Sequence, residues 1–371
     1  MLETNNLEKA TEALNQYHSD PVILRMDEMG HEQLLFCNDP ATGLKAIIGV
    51  HNTVLGPALG GTRMWAYNNE TEALIDVLRL SRGMTYKNSI SGLNLGGGKA
   101  VIIGDARTMK SEAMMRRFGK FVNSLGGKYI TAEDVGISPT DMVYVNMETN
   151  HVVGLPGKSG DPSPVTAYGT YVGIKAAAQV AYGSDNLEGK KVAVQGIGSV
   201  GSSLVGYLVK EGAKVMVADI FEGSLQKIKT AHPQVEIVAN DRIYDVDMDV
   251  YAPCALGATV NDDTLSRLKC AIIAGAANNQ LANEKIHGQA VLDKGLIYAP
   301  DYAINAGGVM NCYAEVKGLS SEWAMNKAGD IYNTILNIVT RSRNEGIPTH
   351  IIANKMAEER IEAIGKVKLP L

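Results

Sequence analysis

Two lysines, Lys87 and Lys99, are the residues best placed by type and setting to do chemistry. The second follows Gly96-Gly97-Gly98 and leads into the apolar run Ala100-Val101-Ile102-Ile103. A triple glycine lets the backbone approach a neighbour closely and adopt positive φ, so the spacing predicts a turn that delivers Lys99 beside apolar residues. Desolvation disfavours an ammonium, and a second ammonium nearby disfavours it further. Both effects would make Lys99 a usable base near neutral pH. The same residues also suit a flexible surface loop carrying two solvated lysines. A carboxylate follows at Asp134, which closes the run Lys128-Tyr129-Ile130-Thr131-Ala132-Glu133-Asp134-Val135-Gly136. Alternation along a strand puts Glu133 and Asp134 on opposite faces, so only one can face a cleft. A helix N-cap or a surface acid is the other use for Asp134.

A second constellation is Gly196-Ile197-Gly198-Ser199-Val200-Gly201, placed after the strand-like Lys191-Val192-Ala193-Val194-Gln195 and before a helical pattern. The first glycine permits a tight turn, the second lets a pyrophosphate approach the backbone, and the third lets helix and strand pack. Asp219 ends the next apolar run, eighteen residues after Gly201, where a carboxylate accepts hydrogen bonds from the adenosine ribose and repels a 2′-phosphate. This context predicts dinucleotide binding, with NAD preferred over NADP. The alternative is a glycine-rich turn in an unrelated α/β domain.

Smaller signals follow. Asn278-Asn279-Gln280 comes after Ile272-Ile273-Ala274-Gly275-Ala276-Ala277 and could read a ribose or carboxamide, or could be ordinary turn residues. Asn305-Ala306-Gly307-Gly308-Val309 is a similar small-residue turn. Cys254 has no base beside it in sequence and reads as a small packing residue rather than a nucleophile.

These groups need elements to hold them. An opening helix is expected at 6–18, short apolar or alternating runs at 22–26, 32–37 and 44–51, and a hairpin turn at 38–43. Helices are expected at 70–86 and 111–125. Gly154–Pro162 reads as a linker. Beyond it a helix at 164–182 opens a βαβ pattern, with strands at 191–195, 214–218, 235–238, 248–251, 271–274 and 296–298. Two amphipathic helices, 320–345 and 349–365, end the chain. The organisation predicted is α/β in two domains: residues 1–153 as a substrate and oligomerisation domain, and residues 162–345 as a Rossmann-like dinucleotide-binding domain. The terminal helix, within 349–371, is expected to return to the first.

At 371 residues the chain can bury two cores. A formal charge of -5 gives no electrostatic case for nucleic acid. No run approaches bilayer-spanning length, and the polar N-terminus lacks a signal-peptide core. The four cysteines, Cys37, Cys254, Cys270 and Cys312, are too widely spaced for a disulfide framework or a zinc site. Reduced thiols, a cytoplasmic location and no metal are the expectations.

Taken in order, Gly60-Gly61, Met84-Thr85-Tyr86-Lys87, Gly96-Gly97-Gly98-Lys99, Ala132–Gly136, Pro164-Val165-Thr166-Ala167-Tyr168-Gly169, the Gly196 turn, Ala276-Ala277-Asn278 and Asn305–Val309 resemble the glutamate, leucine, phenylalanine and valine dehydrogenase family. The likeness runs from about residue 10 to about 365. Leu55–Met64 and Gly92–Lys99 are most similar to the family's leucine branch.

The resemblance implies NAD-dependent, reversible oxidative deamination of an aliphatic L-amino acid, leucine first, with phenylalanine or valine specificity as the alternative. A non-catalytic NAD-binding sensor is a further alternative, and intact Lys87, Lys99 and Asp134 argue against it. The family's roles fall on Lys87 for the substrate α-carboxylate, Lys99 as the base that activates water, and Asp134 as proton shuttle. Glutamate enzymes carry a lysine before the paired glycines, where this chain reads Pro57-Ala58-Leu59. An apolar pocket is implied, formed by Leu59, Gly60, Gly61, Met84, Ala132, Val309 and Cys312, with Asn279 also on the substrate. The family's leucine branch usually carries valine at the position of Cys312. The cofactor would touch Thr166, Gly196, Ile197, Gly198, Ser199, Val200, Gly201, Asp219, Cys254, Ala255 and Asn278. A substrate cleft between the domains that closes on binding and a homo-oligomer, an octamer, are further implications.

Overall fold

The computed structural model describes residues 22–158, 160–255 and 257–367. The helix expected at 6–18 lies outside them. The chain forms two compact units. One takes residues up to Thr85 together with Leu95–Val152; the other takes Tyr86–Asn94 together with the chain from Val153 onward.

The first unit is built on a five-stranded sheet: β1 (Gln33–Asp39), β2 (Leu44–Asn52), β3 (Ala58–Trp65), β4 (Gly96–Ile103) and β5 (Tyr129–Glu133), in the order β1-β2-β4-β3-β5. The β1–β2 hairpin closes where Asp39 Oδ2 accepts from Thr42 N (3.1 Å) and Thr42 Oγ1 (2.7 Å), with Gly43 at φ +73°. β3, β4 and β5 run parallel, and β4 pairs antiparallel with β2. The Glu70–Ile90 helix begins with Glu70 and Glu72, which suit a helix N-terminus. Its Ala73, Leu74, Val77 and Leu78 form a core with Ile47 and Val101. The run at 22–26 is not a strand. It lies in the helix Val22–Met29, whose Val22, Met26 and Met29 pack against that core at helical spacing.

The second unit has an all-parallel six-stranded sheet: β6 (Lys191–Gln195), β7 (Lys214–Ala218), β8 (Glu236–Ile237), β9 (Val250–Pro253), β10 (Ile272–Ile273) and β11 (Ile297–Tyr298). Their order, β11-β10-β9-β6-β7-β8, is that of a doubly wound dinucleotide-binding sheet, and the strand order reverses between β6 and β9. The expected helix at 320–345 is two helices, Ser321–Gly329 and Ile331–Glu345, which meet at Asp330. The last helix, Thr349–Val367, belongs to this unit and packs on the segment 86–94. Ser89 Oγ donates to Ala357 O (2.7 Å), Tyr86 OH to Glu358 Oε1 (2.5 Å), and Arg360 Nη1 to Leu93 O (2.8 Å). Among the described residues no helix is long and apolar enough to cross a membrane.

Candidate active site

In the first unit, register explains which side chains meet. Ala100, Thr62 and Glu133 form one row across β4, β3 and β5. Lys99 lies one step before that row, and Arg63 and Asp134 one step after it. All three therefore leave the face opposite to Thr62. Lys99 Nζ and Asp134 Oδ2 are 2.6 Å apart, with side chains 9% and 25% exposed. Arg63 Nε lies 3.4 Å from the same oxygen. Thr62 Oγ1 instead meets Thr131 Oγ1 (2.6 Å) on the other face. Glu133 is exposed, so Asp134 is the carboxylate that joins the lysine. Asp134 does not cap the next helix, Pro139–Asn146; Ser138 does, in a capping box with Asp141.

Burial pushes the Lys99 ammonium below the ordinary lysine range, the Asp134 carboxylate opposes that, and the Arg63 guanidinium adds to the lowering. The cation expected to do this was that of Lys87; in this unit it is that of Arg63. Burial alone would raise the Asp134 carboxyl, but the charges of Lys99 and Arg63 outweigh it and hold the group below its usual range.

Lys99 does not sit on a turn. Gly96, Gly97, Gly98 and Lys99 all lie in β4, and none of the three glycines has positive φ. They are glycines because of close approach. A Cβ on Gly96 would lie 2.0 Å from Asn52 O, one on Gly97 2.0 Å from Thr85 N in the Glu70–Ile90 helix, and one on Gly98 2.7 Å from the Tyr129 ring. Gly60 and Gly61 are similar: their Cβ atoms would meet Gly98 O at 1.8 Å and Glu133 O at 2.5 Å. Leu59 and Ala132 are buried beside them, and Met84, half-buried, has its Cγ 3.2 Å from a Cβ built on Gly60.

In the second unit the Gly196 turn has the shape expected of it. Gly196 is at φ +100°, and a Cβ there would strike Ala255 Cβ at 2.6 Å. Gly198 starts the Ser199–Lys210 helix with open space where a Cβ would be. A Cβ on Gly201 would lie 2.0 Å from Gly196 O, so the third glycine lets helix and strand pack. Asp219 accepts from Ile197 N (2.6 Å) and Phe221 N (2.8 Å) and so ties β7 to the glycine loop. Ser199 and Val200 occupy the first turn of the helix. Cys254 N donates to Gln195 O (2.7 Å), and burial pushes the Cys254 thiol up to about 11, which suits packing rather than attack. Cys254 and Ala255 thus flank Gly196 at the strand-order reversal, where the carboxyl ends of such sheets bind ligands. The positive φ, the open position at Gly198 and the close packing at Gly201 fit a dinucleotide pyrophosphate.

Lys87 lies in the last turn of the Glu70–Ile90 helix and is grouped with the second unit. Its Nζ donates to Asn305 Oδ1 (2.6 Å), and Asn305 Nδ2 donates to Asn278 Oδ1 (2.7 Å) and Ala276 O (3.0 Å). Asn305 and Ala306 form a turn that joins the helices Asp301–Ile304 and Gly307–Lys317, and Gly307, Gly308 and Val309 already lie in the second of these. Val309 and Cys312 follow at i, i+3 on the Gly307–Lys317 helix and share a face. Gly307 brings this helix against Thr166: a Cβ there would lie 2.7 Å from Thr166 Cα. Asn279 adopts left-handed φ (+52°), and its carbonyl accepts from Ala258 N (2.6 Å). Sequence reasoning missed Arg63 and its partner Asp76. Arg63 directly follows the paired glycines and Thr62, which was a usable signal; Asp76 carried none.

Residues 31–151 match the family model described as Glu/Leu/Phe/Val dehydrogenase, dimerisation domain, and residues 218–347 match Glutamate/Leucine/Phenylalanine/Valine dehydrogenase. A leucine dehydrogenase from Bacillus subtilis is 54% identical over 91% of this chain and 93% of its own length. One from Thermoactinomyces intermedius is 53% identical over 92% and 94%. The crystal structure of L-tryptophan dehydrogenase from Nostoc punctiforme superposes with a TM-score of 0.85 at 43% identity, covering 93% of this chain and 99% of that one.

Proposed function

The chain belongs to the glutamate/leucine/phenylalanine/valine dehydrogenase family of nicotinamide-dependent amino-acid dehydrogenases, and from that premise we propose that it catalyses the reversible, NAD-dependent oxidative deamination of L-leucine and other branched-chain L-amino acids to the 2-oxo acid, ammonia and NADH. The observation that carries this reading is the pairing of the buried Lys99 with Asp134, 2.6 Å apart on one sheet face.

Each group has a task that its surroundings suit. Lys87 pairs its ammonium with the substrate α-carboxylate. Asp134, ionised, accepts a proton from the substrate α-ammonium. Lys99, held proton-poor by burial, takes a proton from the water that attacks the imino carbon and returns it as ammonia leaves. NAD, when bound, supplies the acceptor for the α-hydride. The Gly196–Gly201 loop, with Ile197, Ser199 and Val200, cradles its pyrophosphate, Asp219 binds its adenosine ribose, and Thr166, Cys254, Ala255 and Asn278 complete its contacts. Leu59, Gly60, Gly61, Met84, Ala132, Val309 and Cys312 receive the apolar substrate side chain, and Asn279 contributes an amide. We also take the enzyme to be a cytoplasmic homo-oligomer, an octamer, assembled through its dimerisation domain.

The test is NADH formation from a panel of L-amino acids. Leucine, isoleucine and valine should react well, phenylalanine and tryptophan poorly, and glutamate not at all. Lys99→Ala should lower kcat by about 10²- to 10⁴-fold. A Lys99→Ala enzyme that turns over leucine at the parental rate would end this reading, and faster turnover of phenylalanine would replace leucine by an aromatic substrate.

A further inference from the structure

Behind the Lys99–Asp134 pair lies a run of charges that the reaction has not used. Asp76, on the Glu70–Ile90 helix, takes Arg63 Nη1 (3.0 Å) and the Tyr67 hydroxyl (2.7 Å) on Oδ2, and Arg79 Nη2 (2.9 Å) on Oδ1. Arg63 turns its other edge to Asp134: Nε is buried, hydrogen-bonds to no acceptor among the described residues, and lies 3.4 Å from Asp134 Oδ2. The signs alternate, Lys99 plus, Asp134 minus, Arg63 plus, Asp76 minus. We propose that Arg63, anchored by Asp76 and Tyr67, is a positioning residue that seats the Asp134 carboxylate on Lys99 and sets the pH range in which that pair exchanges protons.

The inference rests on the reading of Lys99 and Asp134 as the proton-handling pair. Its logic is charge balance. To act as a base, Lys99 must give up its proton, which leaves Asp134 a largely buried carboxylate without its ammonium. Removing one partner of a buried ion pair is strongly unfavourable. A guanidinium does not titrate in this range, so Arg63 keeps Asp134 compensated throughout the cycle. Without it, Asp134 would hold Lys99 in its protonated form. Asp76 acts in the opposite sense: it fixes Arg63 but also favours the Lys99 ammonium. Of the other titratable groups, Tyr67 before the Glu70–Ile90 helix and Tyr129 on β5 feel the Asp134 charge, Tyr129 from the opposite sheet face, where its hydroxyl donates to Gly60 O (2.6 Å) and stays protonated through burial. Arg79 is held on the far oxygen of Asp76.

The experiment is the pH profile of kcat/KM for leucine in Arg63→Gln, Arg63→Lys and Asp76→Asn. The rising limb that reports loss of the Lys99 proton should move up by about one pH unit or more in Arg63→Gln, as expected for removing a cation near a titrating amine. It should stay close to the parental position in Arg63→Lys, which keeps the charge, and move down in Asp76→Asn. A limb that stays in place in Arg63→Gln, or that moves the same way in Arg63→Gln and Asp76→Asn, overturns the proposal. A second readout needs no turnover: competitive labelling of the Lys99 amine by acetic anhydride against pH, followed by peptide mass spectrometry. If no L-amino acid yields NADH, the proposed function fails, yet an upward shift of the labelling curve in Arg63→Gln still supports the charge relay and an unchanged curve still refutes it.

Discussion

Asp219 shows how one carboxylate serves two purposes. Its two oxygens hold the backbone N–H groups of Ile197 and Phe221, so it shapes the glycine loop as well as placing a negative charge at the end of β7. Asp219→Ser should therefore do two things. The ratio of kcat/KM with NADP to that with NAD should rise by about tenfold or more, because like-charge repulsion of a 2′-phosphate costs on the order of 1–2 kcal/mol. The KM for NAD should also rise, because the loop loses an anchor. Steady-state kinetics with both cofactors separates the two, and unchanged selectivity would remove Asp219 from the ribose site. Lys99, Asp134, Asp219 and the loop glycines were legible because each is a chemically distinctive residue within a short local pattern. Arg63 carried only its place after the paired glycines, and Asp76 nothing, because their pairing is a contact between a strand and a helix thirteen residues apart in sequence, which no local pattern encodes.

At the level of elements, the instructive case is β4. Three successive glycines argued for a turn, since glycine weakens a strand interior. The fold overrides that preference because the chain must pass within contact of Asn52, Thr85 and Tyr129 at successive positions, and no side chain fits at any of them. The strand places the Lys99 backbone rigidly, which a turn would not. Gly97→Ala should cost about 3 kcal/mol, toward the upper end of overpacking penalties, since its Cβ would meet helix backbone rather than a movable side-chain tip. Denaturant unfolding would show this as a lower midpoint; a loss below about 1 kcal/mol would mean that the strand and helix can part without strain. The same gap between composition and context explains the Val22–Met29 helix, whose short apolar run carried no length cue, and the Asn305 segment, where only Asn305 and Ala306 form the turn and the glycines that follow begin a helix. The βαβ pattern of the second unit was legible because its parallel strands, apart from the exposed edge strand β8, are buried and read as plain apolar runs.

Taken as a whole, the molecule is two units of discontinuous chain, and its stability should depend on pH through the first. His31 Nε2 is 2.7 Å from Ser81 Oγ, His51 Nδ1 is 2.8 Å from Thr85 Oγ1, and the two rings meet edge-on at 4.7 Å. Burial lowers both to about 4 from 6.5, and for His31 the neighbouring His51 adds to the effect. In the interval between these values the unfolded chain binds more protons than the folded one. The histidines' contribution is thus complete above pH 6.5 and is lost as pH falls towards about 4. Thermal unfolding should show a falling Tm across that interval, and His51→Gln should flatten the slope; a parental Tm constant across it would contradict the buried neutral pair. The glycines at 60, 61 and 96–98 carry a different lesson for the whole enzyme. Because a methyl group added there would meet backbone at four of these positions and the Tyr129 ring at Gly98, evolution and protein engineers alike are denied those five positions as a means of reshaping this part of the sheet. Any drift in what the enzyme accepts must be written in other places, and the strand that carries Lys99 stays the same while it happens.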